Sequence, residues 1–320
     1  MSRANPILSA TDLEVSFGDL KPVDGVSLAL RKGETLGLVG ESGCGKSMTA
    51  LALMNLLPNP GTVSAGEILF EGENIVAWPE QQRRNLRGNR IAMIFQDPSA
   101  AFNPVFTIGD QIAEALTAHD RMFGHEAWSE AIRLLGEVGI SEPEKRAAAY
   151  PHEFSGGMLQ RAMTAMALAC EPDVLIADEP TTALDVTVQA QILELLEQLQ
   201  ERHGMAMLFI SHNLAVVSQI ADRIAVMYAG KIVEMGETQR VLAQPCHPYT
   251  SALINTVPKP SFKGRLPTIE GTVPPLHAFG AGCRFAGRCP LADQHCTEQE
   301  PALRKLDNRQ SFACFKELSA

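Results

Sequence analysis

The sequence contains no long hydrophobic segment and no excess of positive charge. Its longest apolar runs, near residues 163–170 and 205–210, fall far short of the ~18–20 residues that cross a bilayer. The first residues also lack the apolar core of a signal peptide. Acidic residues outnumber basic ones, 37 to 27, which argues against nucleic acid as the main partner, because phosphate backbones attract basic surfaces. We therefore expect a cytoplasmic protein.

Apolar runs of strand length alternate with stretches of helical periodicity along most of the 320 residues. Several of these runs are continuously apolar, as is typical of strands buried on both faces. The candidate strands are residues 13–17, 26–30, 35–39, 68–70, 91–95, 174–177, 207–210, 224–227 and 232–235. Strands that are separated by helices predict an α/β fold with a largely parallel core.

The composition and the apolar periodicity of the sequence change at two points. Strand-like runs disappear between residues 107 and 150, where the apolar spacing is helical. After residue 245 prolines become frequent and aliphatic periodicity fades. We expect an α/β domain over residues 1–245, with a helical subdomain at about 100–165, followed by a small loop-rich extension over 246–320. Such an extension has too little core to fold without a further constraint.

A glycine-rich loop follows the candidate strand at 35–39. Residues 40–47 fit the pattern G-x-x-x-x-G-K-[ST], and a helical run comes directly after them. Glycines let the backbone wrap around phosphate, and the helix N-terminus attracts the anion. Lys46 would neutralise the β- and γ-phosphates, and Ser47 would ligate Mg²⁺. A structural glycine turn is the alternative interpretation.

Polar side chains follow three other candidate strands. Asp178 and Glu179 end the run at 174–177, and Gln96 and His212 follow two further strands. Asp178 would hold Mg²⁺, and Glu179 could polarise the attacking water. A Gln amide can bind both Mg²⁺ and water, whereas a lone His after a strand is more often simply packed or solvated. Because α/β sheets bind ligands at the carboxyl ends of their strands, these residues predict one catalytic site.

A second anion-binding feature lies at Ser155, Gly156 and Gly157, directly before a helical stretch. Ser155 is suited to cap that helix, and the adjacent N–H groups could hold an anion. A plain helix cap without a ligand is the alternative. One nucleotide does not need two such helix starts, so a second subunit would explain the surplus: each chain offers Ser155 to the ATP held by Lys46 of the other.

The order of these motifs resembles the ATPase subunit of an ABC transporter, a P-loop NTPase, over roughly residues 8–245. The resemblance implies that Lys46 and Ser47 belong to Walker A, Gln96 to the Q-loop, Ser155 to the signature and Asp178 to Walker B. It also implies that Glu179 is the catalytic base, that His212 is the switch histidine, and that Gln96 assists catalysis. The implied nucleotide-binding residues are Phe17, which would stack on adenine, Gly40, Glu41, Ser42, Gly43, Cys44, Gly45, Lys46, Ser47, Met48, Ser155, Gly156, Gly157 and Asp185 in the D-loop run that begins at Ala183. The implied Mg²⁺ ligands are Ser47, Gln96 and Asp178. Phe154 and Met158 depart from the residues common at their positions, but neither change removes the Ser155 hydroxyl or the glycine amides.

Four further stretches sharpen the resemblance: residues 94–98, 150–152, 176–187 and 247–250. They resemble the D-type ATPase of dipeptide, oligopeptide and nickel importers over nearly the whole chain. The resemblance implies hydrolysis of ATP to ADP and phosphate, coupled to peptide import. It also implies a second ATPase subunit, usually a paralogue, two membrane permease subunits and an extracytoplasmic solute-binding protein. The chain would then lie on the cytoplasmic face of the inner membrane.

Four of the seven cysteines cluster near the C-terminus, at Cys283, Cys289, Cys296 and Cys314. Four thiolates suit zinc or an iron–sulfur cluster, and the subfamily resemblance favours [4Fe–4S]. Four small buried cysteines without metal are the third interpretation. Cys44 lies within the glycine loop, where a helix N-terminus and Lys46 should favour its thiolate. Alkylation of Cys44 is then expected to block ATP binding.

Three alternative functions remain at this point. An importer ATPase for nickel or another small solute would carry the same motifs, because solute selectivity lies in other subunits. A soluble ABC ATPase of DNA repair or translation usually carries two cassettes or long coiled coils, and neither is visible. A small-molecule kinase would share the phosphate loop but would have no use for the Ser155-Gly-Gly segment.

Overall fold

The computed structural model describes residues 5–182, 184–257, 268–307 and 309–316. Ala183 of the predicted D-loop and residues 258–267 of the predicted extension lie outside these ranges. Among the described residues, no helix is both long and apolar enough to span a bilayer. The described residues divide into two compact units, one made of residues 5–7, 31–34 and 77–208 and the other of residues 8–30, 35–76 and 209–316.

The strands contain all nine predicted apolar runs, apart from Phe95 at the end of one of them. In chain order they are β1 (Leu8–Phe17), β2 (Leu20–Leu30), β3 (Thr35–Val39), β4 (Thr62–Phe70), β5 (Glu73–Asn74), β6 (Ile91–Ile94), β7 (Val174–Asp178), β8 (Ala206–Ser211), β9 (Arg223–Tyr228), β10 (Lys231–Glu237), β11 (Arg304–Lys305) and β12 (Gln310–Phe312).

Most helices among the described residues have eleven residues or fewer. In chain order they are α1 (Lys46–Leu53), α2 (Glu80–Leu86), α3 (Pro98–Ala101), α4 (Ile108–Ala118), α5 (Gly124–Glu137), α6 (Pro143–Ala147), α7 (Gly156–Leu168), α8 (Val186–His203), α9 (Leu214–Ile220), α10 (Thr238–Ala243), α11 (Pro248–Asn255) and α12 (Gln294–Glu298). Within the described ranges, 3₁₀ turns occupy Pro151–Glu153, Leu276–Ala278 and Ala286–Arg288.

The first unit contains the parallel pair β6–β7 and the helices α2 to α8. In this pair Ile94 lies opposite Ala177, so the strands end side by side at their carboxyl ends. The stretch from 107 to 150 is helical, as its periodicity predicts, and holds α4, α5 and α6. Arg161 of α7 donates to the carbonyl oxygen of Val138 at the end of α5, which ties these helices together.

The second unit contains a four-stranded antiparallel sheet in the order β2-β1-β4-β5. It also contains β3, which pairs in parallel with β9, followed by the antiparallel strands β10, β12 and β11. The chain passes from the first unit to the second within β8, between Leu208 and Phe209.

The expectation of a largely parallel core is correct for the pairs β3–β9 and β6–β7. All five residues of β3 and all four of β6 are buried, as the two-sided burial of parallel strands requires. In contrast, β1 and β4 mix buried with exposed residues, which is typical of an antiparallel sheet with one face toward solvent. The apolar runs at 13–17, 26–30 and 68–70 are too short to show from sequence whether their strands pair in parallel or antiparallel.

Candidate functional site

The glycine-rich loop joins β3 to α1 in the second unit, in the order that the motif predicts. Gly45 has φ 106°, which side-chain-bearing residues rarely adopt. A Cβ there would also lie 2.3 Å from the carbonyl oxygen of Pro22, so backbone conformation and space both require glycine. As the N-cap of α1, Gly45 offers no side chain to the first amides of the helix. The positive end of the helix dipole at this N-terminus favours an anion.

Lys46 is buried and folds back over the loop. Its Nζ donates to the carbonyl oxygen of Gly40 at 2.8 Å and to that of Glu41 at 3.1 Å. Its side chain is 4% exposed, so the positive charge is held inside the loop and does not extend into bulk solvent. Ser47 follows at the first turn of α1 and is half-buried. This places a cation and a hydroxyl together at a helix N-terminus, which is the donor set that a polyphosphate needs.

The expectation of a favoured Cys44 thiolate is wrong. Burial raises the pKa of the Cys44 thiol, because an apolar surrounding disfavours the charged form, and the nearby Lys46 opposes this only in part. Only 1% of Cys44 is exposed, and its Sγ lies 3.9 Å from Lys46 Nζ. Cys44 therefore packs as a small apolar residue behind the loop.

Asp178 ends β7 in the first unit, and Glu179 follows it directly. Asp178 is the last residue of the strand and is 4% exposed. Glu179 adopts φ 48°, a left-handed conformation that costs free energy in residues other than glycine. This turn directs the chain away from the strand immediately after Asp178, and it was not predicted from the sequence.

The structure brings Gln96 and Glu179 together. Gln96 Nε2 lies 3.4 Å from Glu179 Oε2, since β6 and β7 are adjacent parallel strands. The Thr182 hydroxyl donates to the same carboxylate oxygen at 2.9 Å. Sequence analysis did not select Thr182, although its position three residues after Glu179 in the turn was a usable signal. Two donors thus orient the carboxylate that was predicted to act as a base.

Ser155 caps α7, as expected. Its hydroxyl accepts the backbone N–H of Met158 at 3.4 Å, and both Ser155 and Gly156 are exposed. Asp185 likewise caps α8, where its carboxylate accepts the N–H of Val188 at 2.9 Å. A Cβ on Gly157 would lie 2.9 Å from Val188 Cγ1, so the second glycine allows close contact between the two helix starts. The exposed start of α7 is open to a further molecule.

The remaining predicted nucleotide residues belong to the second unit. Phe17 ends β1 and is half-buried, with its ring against Gly61, where a Cβ would lie 2.4 Å from Phe17 Cζ. His212 is exposed and follows β8, directly before the Asn213 cap of α9. Met48 lies in the first turn of α1. Within the first unit, Gln96 thus lies next to Glu179, and within the second unit residues 40–48 form the glycine-rich loop and the start of α1.

The four C-terminal cysteines line one small cavity, together with His247 and Phe285. Among the described residues, however, there is no group of three or more His, Cys, Asp or Glu side chains placed to hold a metal ion. Burial raises the pKa of the Cys283 thiol to about 11, and the neighbouring cysteines add to this effect. The geometry is that of four clustered thiols, so the predicted iron–sulfur cluster is not confirmed, and neither is zinc.

Two family descriptions match the chain: ABC transporter over residues 23–182, and oligopeptide/dipeptide transporter, C-terminal region, over residues 233–296. The chain is 49% identical to the probable peptide ABC transporter ATP-binding protein y4tR of Sinorhizobium fredii, over 98% of this chain and 96% of that protein. It is 50% identical to the dipeptide transport ATP-binding protein DppD of Bacillus subtilis, over 97% of this chain and 94% of the relative. It is also 47% identical to the oligopeptide transport ATP-binding protein OppD of Salmonella typhimurium, over 98% and 94%.

Among solved structures, the chain is similar in fold to the ATP-binding cassette MJ0796 in a dimeric, post-hydrolysis state bound to ADP and phosphate. The TM-score is 0.65 at 24% identity, and the match covers 72% of this chain and 98% of that one. The chain is 47–50% identical to these relatives over nearly its whole length, which establishes its family. This chain belongs to the ABC transporter ATP-binding proteins and carries the C-terminal region of oligopeptide/dipeptide transporters.

Proposed function

We propose that this chain binds and hydrolyses ATP as one subunit of an ABC importer for dipeptides or oligopeptides. The observation that carries the proposal is the pairing of a complete phosphate loop at residues 40–47 with the oligopeptide/dipeptide transporter region at 233–296. A general ABC ATPase would need only the first. Relatives named for dipeptide and oligopeptide transport align over almost the whole chain, which supports peptides as the solute class.

In the proposed reaction Lys46 neutralises the β- and γ-phosphates, and the N-terminus of α1 receives them. Ser47, Gln96 and Asp178 would hold Mg²⁺ through oxygen atoms, which are the donors this cation prefers. Mg²⁺ supplies positive charge against the transferring phosphoryl group. Glu179 accepts a proton from the attacking water, and the Gln96 and Thr182 donors orient its carboxylate. His212 would contact the γ-phosphate, and Phe17 would stack on adenine.

The proposed assembly contains two ATPase subunits. Ser155 and Gly156 are exposed at the start of α7, which supports their use by the nucleotide on the neighbouring subunit. Asp185 at the start of α8 would lie at the same interface. A paralogous ATPase, two permease subunits at the cytoplasmic face of the inner membrane and an extracytoplasmic solute-binding protein would complete the importer. We also propose that the ATPase domain ends at residue 245 and that the C-terminal extension begins at residue 246.

The test is reconstitution of the chain with the second ATPase and the permeases that its genomic neighbours encode. ATP hydrolysis in proteoliposomes should rise when the binding protein and a dipeptide or oligopeptide are added to the lumen. Stimulation by a nickel chelate or another small solute, and not by peptides, would support the role as an importer ATPase and would refute peptides as the solute. A chain that neither binds ATP nor co-purifies with the permeases would refute the whole assignment.

We also propose that Cys283, Cys289, Cys296 and Cys314 hold a [4Fe–4S] cluster, with zinc as the alternative. Their position around one cavity supports this, as does the four-thiol donor set. The cluster would staple a loop-rich region and would take no part in hydrolysis. Protein purified without oxygen should contain four iron and four sulfide per chain, as [4Fe–4S] requires. Zinc without iron would select the alternative, and metal-free protein of unchanged stability would refute both.

A further inference from the structure

Two side chains of the C-terminal region, residues 246–320, form hydrogen bonds with the same residue of the phosphate loop, Glu41. The backbone N–H of Glu41 donates to the Tyr249 hydroxyl at 2.9 Å. Arg288 Nη1 donates to both carboxylate oxygens of Glu41, at 3.1 and 3.0 Å. These pairs are separated by 208 and 247 residues in sequence. One loop residue is thus fixed at its backbone and at its side chain by a region that lies outside the nucleotide-binding motifs.

Arg288 is itself held on every side. Its Nε donates to the carbonyl oxygen of Glu270 at 2.8 Å, and its Nη2 donates to the carbonyls of Ile269 and Gly271 at 3.4 and 3.3 Å. Nη1 also contacts the Tyr228 hydroxyl at 3.3 Å, and only 6% of the side chain is exposed. A planar guanidinium with so many fixed acceptors has little freedom to move. It therefore presents a rigid cation to Glu41.

Tyr249 is equally constrained. Its side chain is fully buried and packs against Tyr228, with ring centroids 4.7 Å apart, and against Phe285 at 5.4 Å. Burial raises the pKa of the phenol, so Tyr249 remains neutral at physiological pH. Its hydroxyl oxygen is then a fixed acceptor for the Glu41 N–H.

The Glu41 peptide contacts Lys46 directly. Its carbonyl oxygen accepts from Lys46 Nζ at 3.1 Å and from the N–H of Cys44 at 3.2 Å. A shift of the Glu41 peptide would therefore move the lysine and the turn that follows. Phosphate recognition depends on donors that are already in place when the anion arrives.

We infer that Tyr249 and Arg288 are positioning residues of the phosphate loop, through which the C-terminal region sets the affinity of this chain for the triphosphate of ATP. The inference rests on the proposed function. Neither side chain needs to touch the nucleotide. Both act through Glu41, and the loss of either contact leaves the loop free to sample conformations that bind phosphate poorly.

The test measures binding of a fluorescent ATP analogue with Mg²⁺ to the full chain. Arg288→Ala and Tyr249→Phe should each weaken binding about tenfold, as the loss of a hydrogen bond to a charged or fixed group predicts. Arg288→Lys should restore part of the affinity, because it keeps the charge without the fork of donors. In the assembled ATPase, KM for ATP should rise while kcat changes little, because the residues that act in the chemical step are intact.

Arg304→Ala is the matched control. Arg304 belongs to the same region, donates to the carbonyl oxygen of Cys314 at 3.2 Å and stacks on Phe312. It should alter thermal stability without altering affinity. Glu41→Gln combined with Arg288→Ala should be little worse than Arg288→Ala alone, since both remove one ion pair.

Folded Tyr249→Phe and Arg288→Lys proteins that bind the analogue as tightly as the unaltered chain would overturn the inference and leave the proposed function intact. Equal weakening by Arg304→Ala would also overturn it, because the effect would then be a general one of the region. A chain that binds no ATP analogue before any substitution would refute the proposed function and, with it, this inference.

Discussion

Gln96 Nε2 and Glu179 Oε2 lie 3.4 Å apart, at the carboxyl ends of two adjacent parallel strands. The same Glu179 oxygen receives the Thr182 hydroxyl at 2.9 Å. A carboxylate that accepts two hydrogen bonds is held in one orientation, and it retains lone pairs for a water proton. This relationship connects the strand order to the proposed role of Glu179 as a base.

Glu179→Gln should reduce ATP hydrolysis by about 10²- to 10⁴-fold, because the amide cannot accept the proton of the attacking water. Affinity for ATP should change little, and ATP-loaded dimers should accumulate, because hydrolysis is the step that reopens the two ATPase subunits in the proposed assembly. Phosphate release and gel filtration with ATP measure the two effects. Glu171→Gln is the matched control, because Glu171 is also a glutamate with positive φ, here 52°, but it is exposed and lies outside the proposed site. Full turnover in Glu179→Gln would exclude it as the base.

The phosphate loop is the part of the site that the sequence predicts best. The spacing of Gly40, Gly45 and Lys46 leaves few conformations, and the continuous apolar run before it defines the strand. A local signal likewise predicts the Ser155 cap, because a cap depends on residues within three positions. These features are short-range, so a single sequence contains all the information they need.

Other features depend on contacts between distant residues. The left-handed turn at Glu179 and the antiparallel pairing of β1 with β4 cannot be derived from local periodicity. Nor can the burial of Cys44, which raises the pKa of its thiol by more than Lys46 lowers it. The hydrogen bonds of Glu41 to Tyr249 and Arg288 leave no trace in spacing. In each case the missing information is which residues the fold places side by side.

Cys44 should react with maleimide about tenfold or more slowly in the folded chain than in denaturant, because its thiol is buried and its pKa is raised. Peptide mass spectrometry after timed labelling measures this difference. The half-buried thiol of Cys246 should be modified earlier. Rapid labelling of Cys44 in the native protein would show that the loop opens readily, contrary to the packing described here.

Gly157→Ala should lower the free energy of unfolding by about 1–3 kcal/mol, since the added methyl would lie 2.9 Å from Val188 Cγ1. Valine in a helix has one preferred rotamer and cannot move aside cheaply. Gly156→Ala is the matched control, because a Cβ there meets nothing within 4 Å. Urea unfolding of the two variants compares them. Equal stability of both would show that the starts of α7 and α8 separate at little cost.

His247 should make the protein less stable in acid. Burial lowers its pKa from 6.5 to about 4, and its Nδ1 caps α11 by accepting the N–H of Tyr249 at 3.0 Å. Between pH 6.5 and 4 the unfolded chain therefore binds a proton that the folded chain excludes, so stability falls as pH falls. The loss attributable to this group between pH 6.5 and 5 is about 1–2 kcal/mol, at ~1.4 kcal/mol per pKa unit.

His247→Asn keeps a capping oxygen but does not titrate, so its unfolding free energy should depend less on pH in this range. The neighbouring Glu234 carboxylate accepts the N–H groups of Cys246 and His247, and burial raises its pKa. Its contribution has the opposite sign: it is present at low pH and lost as pH rises through the folded pKa. In metal-free protein, burial raises the pKa of the Cys283, Cys289 and Cys314 thiols, which line the same cavity as His247, so these three stay protonated over this range. Because these groups are common to both proteins, the difference between them isolates His247.

Urea unfolding at pH 7, 6 and 5 measures that difference, and His125→Asn, at an exposed position, should behave as the unaltered chain. Parallel pH profiles for the unaltered chain and His247→Asn would show that His247 accepts a proton without loss of the fold.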